Sequence, residues 1–121
     1  MATPTLGSVL LGTTNPERLR AWYVAALSPE QSDDGFLDFG GVALLIDGRT
    51  DVADKNPEPG RVILNFHVDD AHATAAHLNG LGVSWLVEVE DRGVGFFGTL
   101  VDPDGNYIQI IQMKDGGAPS R

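Results

Sequence analysis

Short apolar runs, broken by turn residues, alternate along this chain with two segments of helical character. Val9-Leu10-Leu11 reads as a short buried strand. Thr14-Asn15-Pro16-Glu17 starts a helix, with Asn15 as N-cap and Pro16 at the first helical position. An Asn side chain accepts from an orphan N–H there, and Pro lacks the donor that would go unpaired. Leu19, Trp22, Tyr23 and Ala26 recur at helical spacing, and Ser28-Pro29 ends the run. Phe36-Leu37-Asp38-Phe39 alternates like a strand, Gly40-Gly41 turns the chain, and Val42 to Ile46 forms a second buried strand.

The stretch 48–60 carries charge, Pro and Gly without an apolar period and reads as a linker. Beyond it, Arg61 to Val68 is a strand, and Asp70 opens an Ala-rich helix through Leu81 that Gly82 closes. Trp85 to Glu90, Gly95 to Val101 and Tyr107 to Gln112 give three more strands, and a polar tail over 113–121 is expected to be disordered. An offset of about 55 residues lays the two halves over each other, so that Asn15 falls on Asp70, Leu10 on Asn65 and Gly12 on His67. With a gap taken in the linker, Gly41 falls on Gly105 and Leu45 on Gln109. The pattern predicts an α+β fold of two βαβββ modules, at about 6–47 and 61–112, the first without a clear second strand.

At 121 residues with 42% hydrophobic content the chain suffices for one compact domain with a core. A net charge of −9 works against binding a nucleic-acid backbone or an anionic membrane surface, both of which need clustered Lys and Arg. No cysteine is present, which excludes disulfides, thiolate metal sites and a Cys nucleophile and fits a cytoplasmic protein. Signal-peptide and membrane-helix patterns are missing, as are GxGxxG after a strand, the P-loop, GxSxG, HExxH and CxxC.

Asp102-Pro103-Asp104-Gly105-Asn106 is a tight turn that aims the strand Tyr107-Ile108-Gln109-Ile110-Ile111-Gln112. Pro fixes one φ, Gly accepts a positive one, and Asp and Asn bond back to the backbone. This turn, the Asn15-Pro16-Glu17-Arg18 to Trp22-Tyr23 helix, Phe66-His67-Val68-Asp69-Asp70 and the doubled module together resemble the vicinal oxygen chelate superfamily. Its members include glyoxalase I, extradiol dioxygenases and bleomycin-resistance proteins. The resemblance implies a partial barrel of two modules with helices outside and a ligand cavity inside, commonly in a homodimer. Metal-dependent members place four His, Glu or Gln ligands on the first and last strands of the modules. Here those positions are Ser8, Leu45, Ile63 and Gln109, and only Gln109 is of a type the family uses.

Alternation in Arg61 to Val68 puts Leu64, Phe66 and Val68 on one face and Ile63, Asn65 and His67 on the other. Asn65 and His67 are therefore candidate ligand contacts, joined by Tyr107 and Gln109 on the last strand, with Trp85, Phe96 and Phe97 as an aromatic slot. No partner identifies His67 as a catalytic base, and no catalytic residue is assigned. His72 and His77 lie five apart on the second helix, the wrong spacing for a shared ligand face, and are expected to be solvated. Glu88, Glu90 and Asp91 before Arg92 suggest either paired carboxylates or a solvated strand end, with the second favoured. The expectation is a binding protein resembling the bleomycin-resistance type, without metal or cofactor, holding an apolar or aromatic ligand; the acidic balance suits a cationic one. The alternative is a glyoxalase-like lyase or isomerase, or a dioxygenase, with an atypical or partner-supplied metal site.

Overall fold

The computed structural model describes residues 1–115 as two compact units, Met1–Asp54 and a second that begins at Lys55. Each is a βαβββ module. The first runs β1 (Ser8–Thr13), α1 (Pro16–Leu27), β2 (Glu30–Gln31), β3 (Leu37–Phe39) and β4 (Val42–Gly48). The second runs β5 (Leu64–His67), α2 (Ala71–Gly80), β6 (Ser84–Asp91), β7 (Gly95–Val101) and β8 (Tyr107–Met113). Both sheets are open, four-stranded and mixed, in the orders β1-β4-β3-β2 and β5-β8-β7-β6. In each, the first strand pairs parallel with the last, which requires a crossover, and the single helix supplies it.

The internal repeat holds at the level of single residue pairs. Leu10 opposes Leu45 in the first sheet, and Asn65 opposes Gln109 in the second, the pairs that the overlay of the two halves makes equivalent. Asn15 caps α1 by accepting from the Arg18 N–H, and Asp70 caps α2 by accepting from the Ala73 N–H. Each helix covers one face of its own sheet. Leu19, Tyr23 and Ala26 of α1 are buried with Leu37 and Leu44, while Ala71 and Leu78 of α2 are buried with Leu100, Ile108 and Ile110. Every large aliphatic side chain so buried contributes about 1.5–3 kcal/mol.

Four details differ from the sequence expectation. Strand β2 exists, but it is two exposed polar residues held by pairing with β3 and by the Arg20 guanidinium on Gln31, so no hydrophobic period announces it. Strand β5 starts at Leu64 rather than Arg61, because its ladder partner β8 starts pairing at Ile108 and Arg61 instead bonds Glu58. Helix α2 stops at Gly80, with Leu81 as C-cap and Gly82 at φ +75°. The expected tail is ordered at its start: Met113 pairs with Gly95 in the sheet, and the Lys114 N–H donates to the Val94 carbonyl. Residues 116–121 lie outside the described residues.

The 48–60 stretch is not a loose tether. The Arg49 N–H donates to the Thr13 carbonyl at 2.9 Å, the Arg49 guanidinium makes two bonds to Asp51, and the Thr14 hydroxyl reaches Asp54 at 2.8 Å. From Lys55 onward the bonds go to the second unit. The Lys55 ammonium donates to the Pro103 carbonyl, the Asn56 N–H to the Asp104 carbonyl at 2.8 Å, and the Asn56 amide to Asn106 Oδ1 at 2.9 Å. The Asp102–Asn106 turn that receives them is itself wound on one buried carboxylate. Asp102 Oδ1 accepts from the Asp104 and Asn106 N–H groups, and Oδ2 accepts from the Asn106 amide at 2.9 Å. Among the described residues no helix is long and apolar enough to cross a membrane.

Candidate functional site

Helix α2 covers one face of the second sheet, and the ladder registers define what the opposite face presents. Residues directly opposed on neighbouring strands share a face about 4.8 Å apart. One row across the sheet is Asn65, Gln109, Thr99 and Val87. The next is His67, Ile111, Phe97 and Glu90. On the other side of the first row, Tyr107 opposes Val101 and Val101 opposes Ser84. The Asn65 and His67 side chains are exposed, and no hydrogen bond engages either among the described residues. Gln109 is half-buried and its amide N–H donates to the Thr99 hydroxyl at 3.2 Å, so one of its two polar atoms is committed to the neighbouring strand. Ile111, between His67 and Phe97 in the second row, is buried.

Five of the seven candidate contacts, Asn65, His67, Tyr107, Gln109 and Phe97, therefore share this face. Trp85 and Phe96 do not, which corrects the aromatic slot. Trp85 opposes the fully buried Leu100 on the α2 side, and its indole N–H donates to Asn79 of α2 at 2.7 Å. Phe96 meets the His72 ring edge-to-face, with centroids 5.0 Å apart, and lies under the Lys114 ammonium. Two register shifts in β6, between Trp85 and Val87 and between Val87 and Glu90, reset its alternation. No simple period through β6 relates Trp85 to Glu90. His72 is exposed, as the sequence suggests, and its ring also makes the edge contact with Phe96.

The acidic cluster is divided between the two faces. Glu90 accepts from Arg92 Nε at 2.9 Å, and the Arg92 guanidinium stands over the Phe97 ring at 5.1 Å from its centroid. Asp91, one residue on, pairs with Lys114 at 2.7 Å on the α2 side. The Lys114 hydrogen bond, and after it the Gly93 N–H, holds the Asp91 carboxyl below the ordinary Asp range. Glu88 is exposed at the second β6 irregularity. Glu90 and Asp91 are each tied to a basic side chain of this hairpin region, on opposite faces of the sheet.

The equivalent face of the first sheet has no polar pair. Leu10 opposes Leu45, and Ser8 opposes Ala43. At Gly12, the counterpart of His67, a Cβ would lie 2.6 Å from Arg49 Cδ and 3.4 Å from Val52 Cγ1, so the connecting segment folds over this position. Sequence reasoning missed Thr99 and Arg92 as parts of the second face. The signal for Thr99 was available: positions equally distant from the Asp102–Asn106 turn must pair, which sets Thr99 against Gln109 and Phe97 against Ile111.

The four positions where metal-dependent relatives carry ligands do not fit a divalent ion. Leu45 and Ile63 have no donor atom, Ser8 is exposed, and the Gln109 Oε1 is left as a single carboxamide oxygen. No cluster of three or more His, Asp or Glu side chains that could hold a metal occurs among the described residues.

Residues 8–111 match the family described as glyoxalase-like domain. Solved structures share the fold at low identity. One is a glyoxalase/dioxygenase from Nostoc punctiforme, with TM-score 0.78 and 16% identity over 90% of each chain. Another is a glyoxalase/bleomycin resistance protein/dioxygenase family enzyme from Burkholderia phytofirmans PsJN, with TM-score 0.75 and 14% identity over 91% of this chain and 99% of the other. A third is TnmS3, an antibiotic binding protein from Streptomyces sp. CB03234, with TM-score 0.68 and 22% identity over 94% of this chain and 99% of the other. No curated protein sequence matches the chain.

Proposed function

Because the chain belongs to the glyoxalase-like domain family of the vicinal oxygen chelate superfamily, we propose that it uses this fold to bind a small apolar or aromatic ligand without a metal ion. The ligand lies on the face of the second sheet opposite α2, against Phe97, and is oriented by Asn65, His67 and the Oε1 of Gln109. The observation that carries this reading is the exposed polar pair Asn65 and His67, without a hydrogen-bond partner among the described residues, on the same sheet face as Gln109 and Phe97. Polar groups placed among apolar ones fix the orientation of a ligand whose body is held by contact area. That TnmS3 is an antibiotic binding protein agrees with a binding role on this fold.

A glyoxalase-like lyase or dioxygenase would need a metal, and the donor set here is against it. Metal content after dialysis against Mn, Fe, Ni and Zn salts separates the two: stoichiometric metal would refute the binding reading. A homodimer belongs to the same proposal, supported by Leu10, Leu86 and Val94, which are 50%, 53% and 63% exposed. Sedimentation equilibrium tests it. Once a ligand is found, His67→Ala is expected to weaken it about tenfold, the cost of about one hydrogen bond with its packing. Unchanged affinity would remove His67 from the site.

A further inference from the structure

We infer, resting on the ligand-binding reading above, that the face of the second sheet opposite α2 selects an uncharged planar ligand through a paired donor and acceptor edge, such as a lactam. The charge of the chain, −9 overall, is not expressed on this face. The three strands that form its floor place Asn65, His67, Tyr107, Gln109, Thr99 and Phe97 on it, and no carboxylate among them. The nearest carboxylate in the ladder, Glu90, is at the rim and is neutralised by Arg92 at 2.9 Å. Asp91 and Lys114, the other charged pair of that hairpin, are on the α2 side. A cationic ligand would find no unpaired counter-charge at these ladder positions, and desolvating it there would cost more than it returned.

The hydrogen-bonding pattern is more specific than the charge. Gln109 gives its N–H to Thr99, which leaves its Oε1 as an acceptor toward the ligand. Asn65 stands directly opposite Gln109 with both its amide groups unengaged, so it supplies the donor that Gln109 has spent. Acceptor and donor sit on adjacent parallel strands about 4.8 Å apart, within the span of a cis-amide edge and its two hydrogen bonds. Phe97, on the neighbouring row, is placed to receive an aromatic body. No acid, metal or cationic clamp is needed for this recognition.

The test is two-dimensional NMR on the whole protein, titrated with three probes of similar size: carbostyril (a bicyclic aromatic lactam), its N-methyl derivative and the N-methylquinolinium cation. The expected result is saturable shifts of the Asn65, Gln109 and Ile111 amides with carbostyril, about tenfold weaker binding on N-methylation, and no preference for the cation. Asn65→Asp, at an exposed position that folding tolerates, is expected to reverse the order and favour the cation. Equal binding of the N-methyl compound, tighter binding of the cation to the unmutated protein, or an unchanged order in Asn65→Asp would overturn the donor–acceptor assignment while the ligand-binding reading stands. Absence of shifts on this face with all three probes would overturn both.

Discussion

Asp102→Asn replaces one oxygen of a buried carboxylate by an NH₂ group of the same size, so its cost isolates hydrogen bonding from packing. Asp102 is 4% exposed, and it accepts from the Asp104 N–H at 2.9 Å, the Asn106 N–H at 3.0 Å and the Asn106 amide at 2.9 Å. The remaining oxygen can keep the two backbone bonds, but the new amide then faces the Asn106 Nδ2 donor. One charge-assisted bond is lost, worth about 1.5–3 kcal/mol, and two others weaken to neutral strength, so the expected destabilisation is about 3 kcal/mol. The double variant Asp102→Asn/Asn106→Asp exchanges donor and acceptor across the same gap and leaves an oxygen for the Asn56 amide, which now reaches Asn106 Oδ1 at 2.9 Å. It should recover about 1–2 kcal/mol of the loss, since the coupling between neighbours in one network is of that size. Urea unfolding of the wild type, both single variants and the double completes the cycle. A loss below about 1 kcal/mol for Asp102→Asn, within the range of an ordinary surface change, would refute the claim that this carboxylate organises the turn. So would a double variant no better than the sum of the singles.

Three further outcomes are expected. Gly95→Ala should cost several kcal/mol or prevent folding, because its Cβ would lie 2.5 Å from the Gln112 carbonyl oxygen and 3.2 Å from Met113 Cα, and backbone cannot step aside. Gly12→Ala should cost under about 1 kcal/mol, because its Cβ meets the flexible Arg49 Cδ; the displaced Arg49–Asp51 pair is read by the Arg49 Nε resonance. Asp91, held below the ordinary carboxyl range first by Lys114 and then by the Gly93 N–H, stabilises the hairpin above the unfolded Asp pKa of about 4 and loses that stabilisation as pH falls through the lower folded value. Lys114→Met should raise the Asp91 midpoint in a carboxyl NMR titration and reduce the acid dependence; an unmoved midpoint would contradict the assigned cause.

The fold was legible because its signals are local and redundant. Asn15-Pro16 and Asp70 mark helix starts by capping chemistry, and both cap in the structure. Apolar runs at Val42–Ile46 and Tyr107–Gln112 mark inner strands, and the repeat links the halves. What was not legible depends on pairing. Glu30–Gln31 is a strand because β3 lies beside it. Phe96 and Phe97 are consecutive in β7, so alternation sends them to opposite faces, and the face of Trp85 is fixed by Leu100 opposite it, while the β6 irregularities beyond Trp85 break the period that would relate it to Glu90. At the site, the exposure of Asn65 and His67 followed from alternation in β5, whereas the commitment of Gln109 to Thr99 required knowing which strand stands on its other side.

The order within the connecting segment bears on how the chain could be divided. Residues from Arg49 to Asp54 fasten to Thr13 and Thr14 of the first unit or to one another, and residues from Lys55 to Arg61 to the Asp102–Asn106 turn of the second or to one another. The seam falls between two consecutive exposed residues, Asp54 and Lys55. A nick there would give each fragment a whole four-stranded sheet, its crossover helix and its own share of the connection. The chain is thus already laid out as a split protein, and the seam is the natural place to insert a reporter domain or to move the termini.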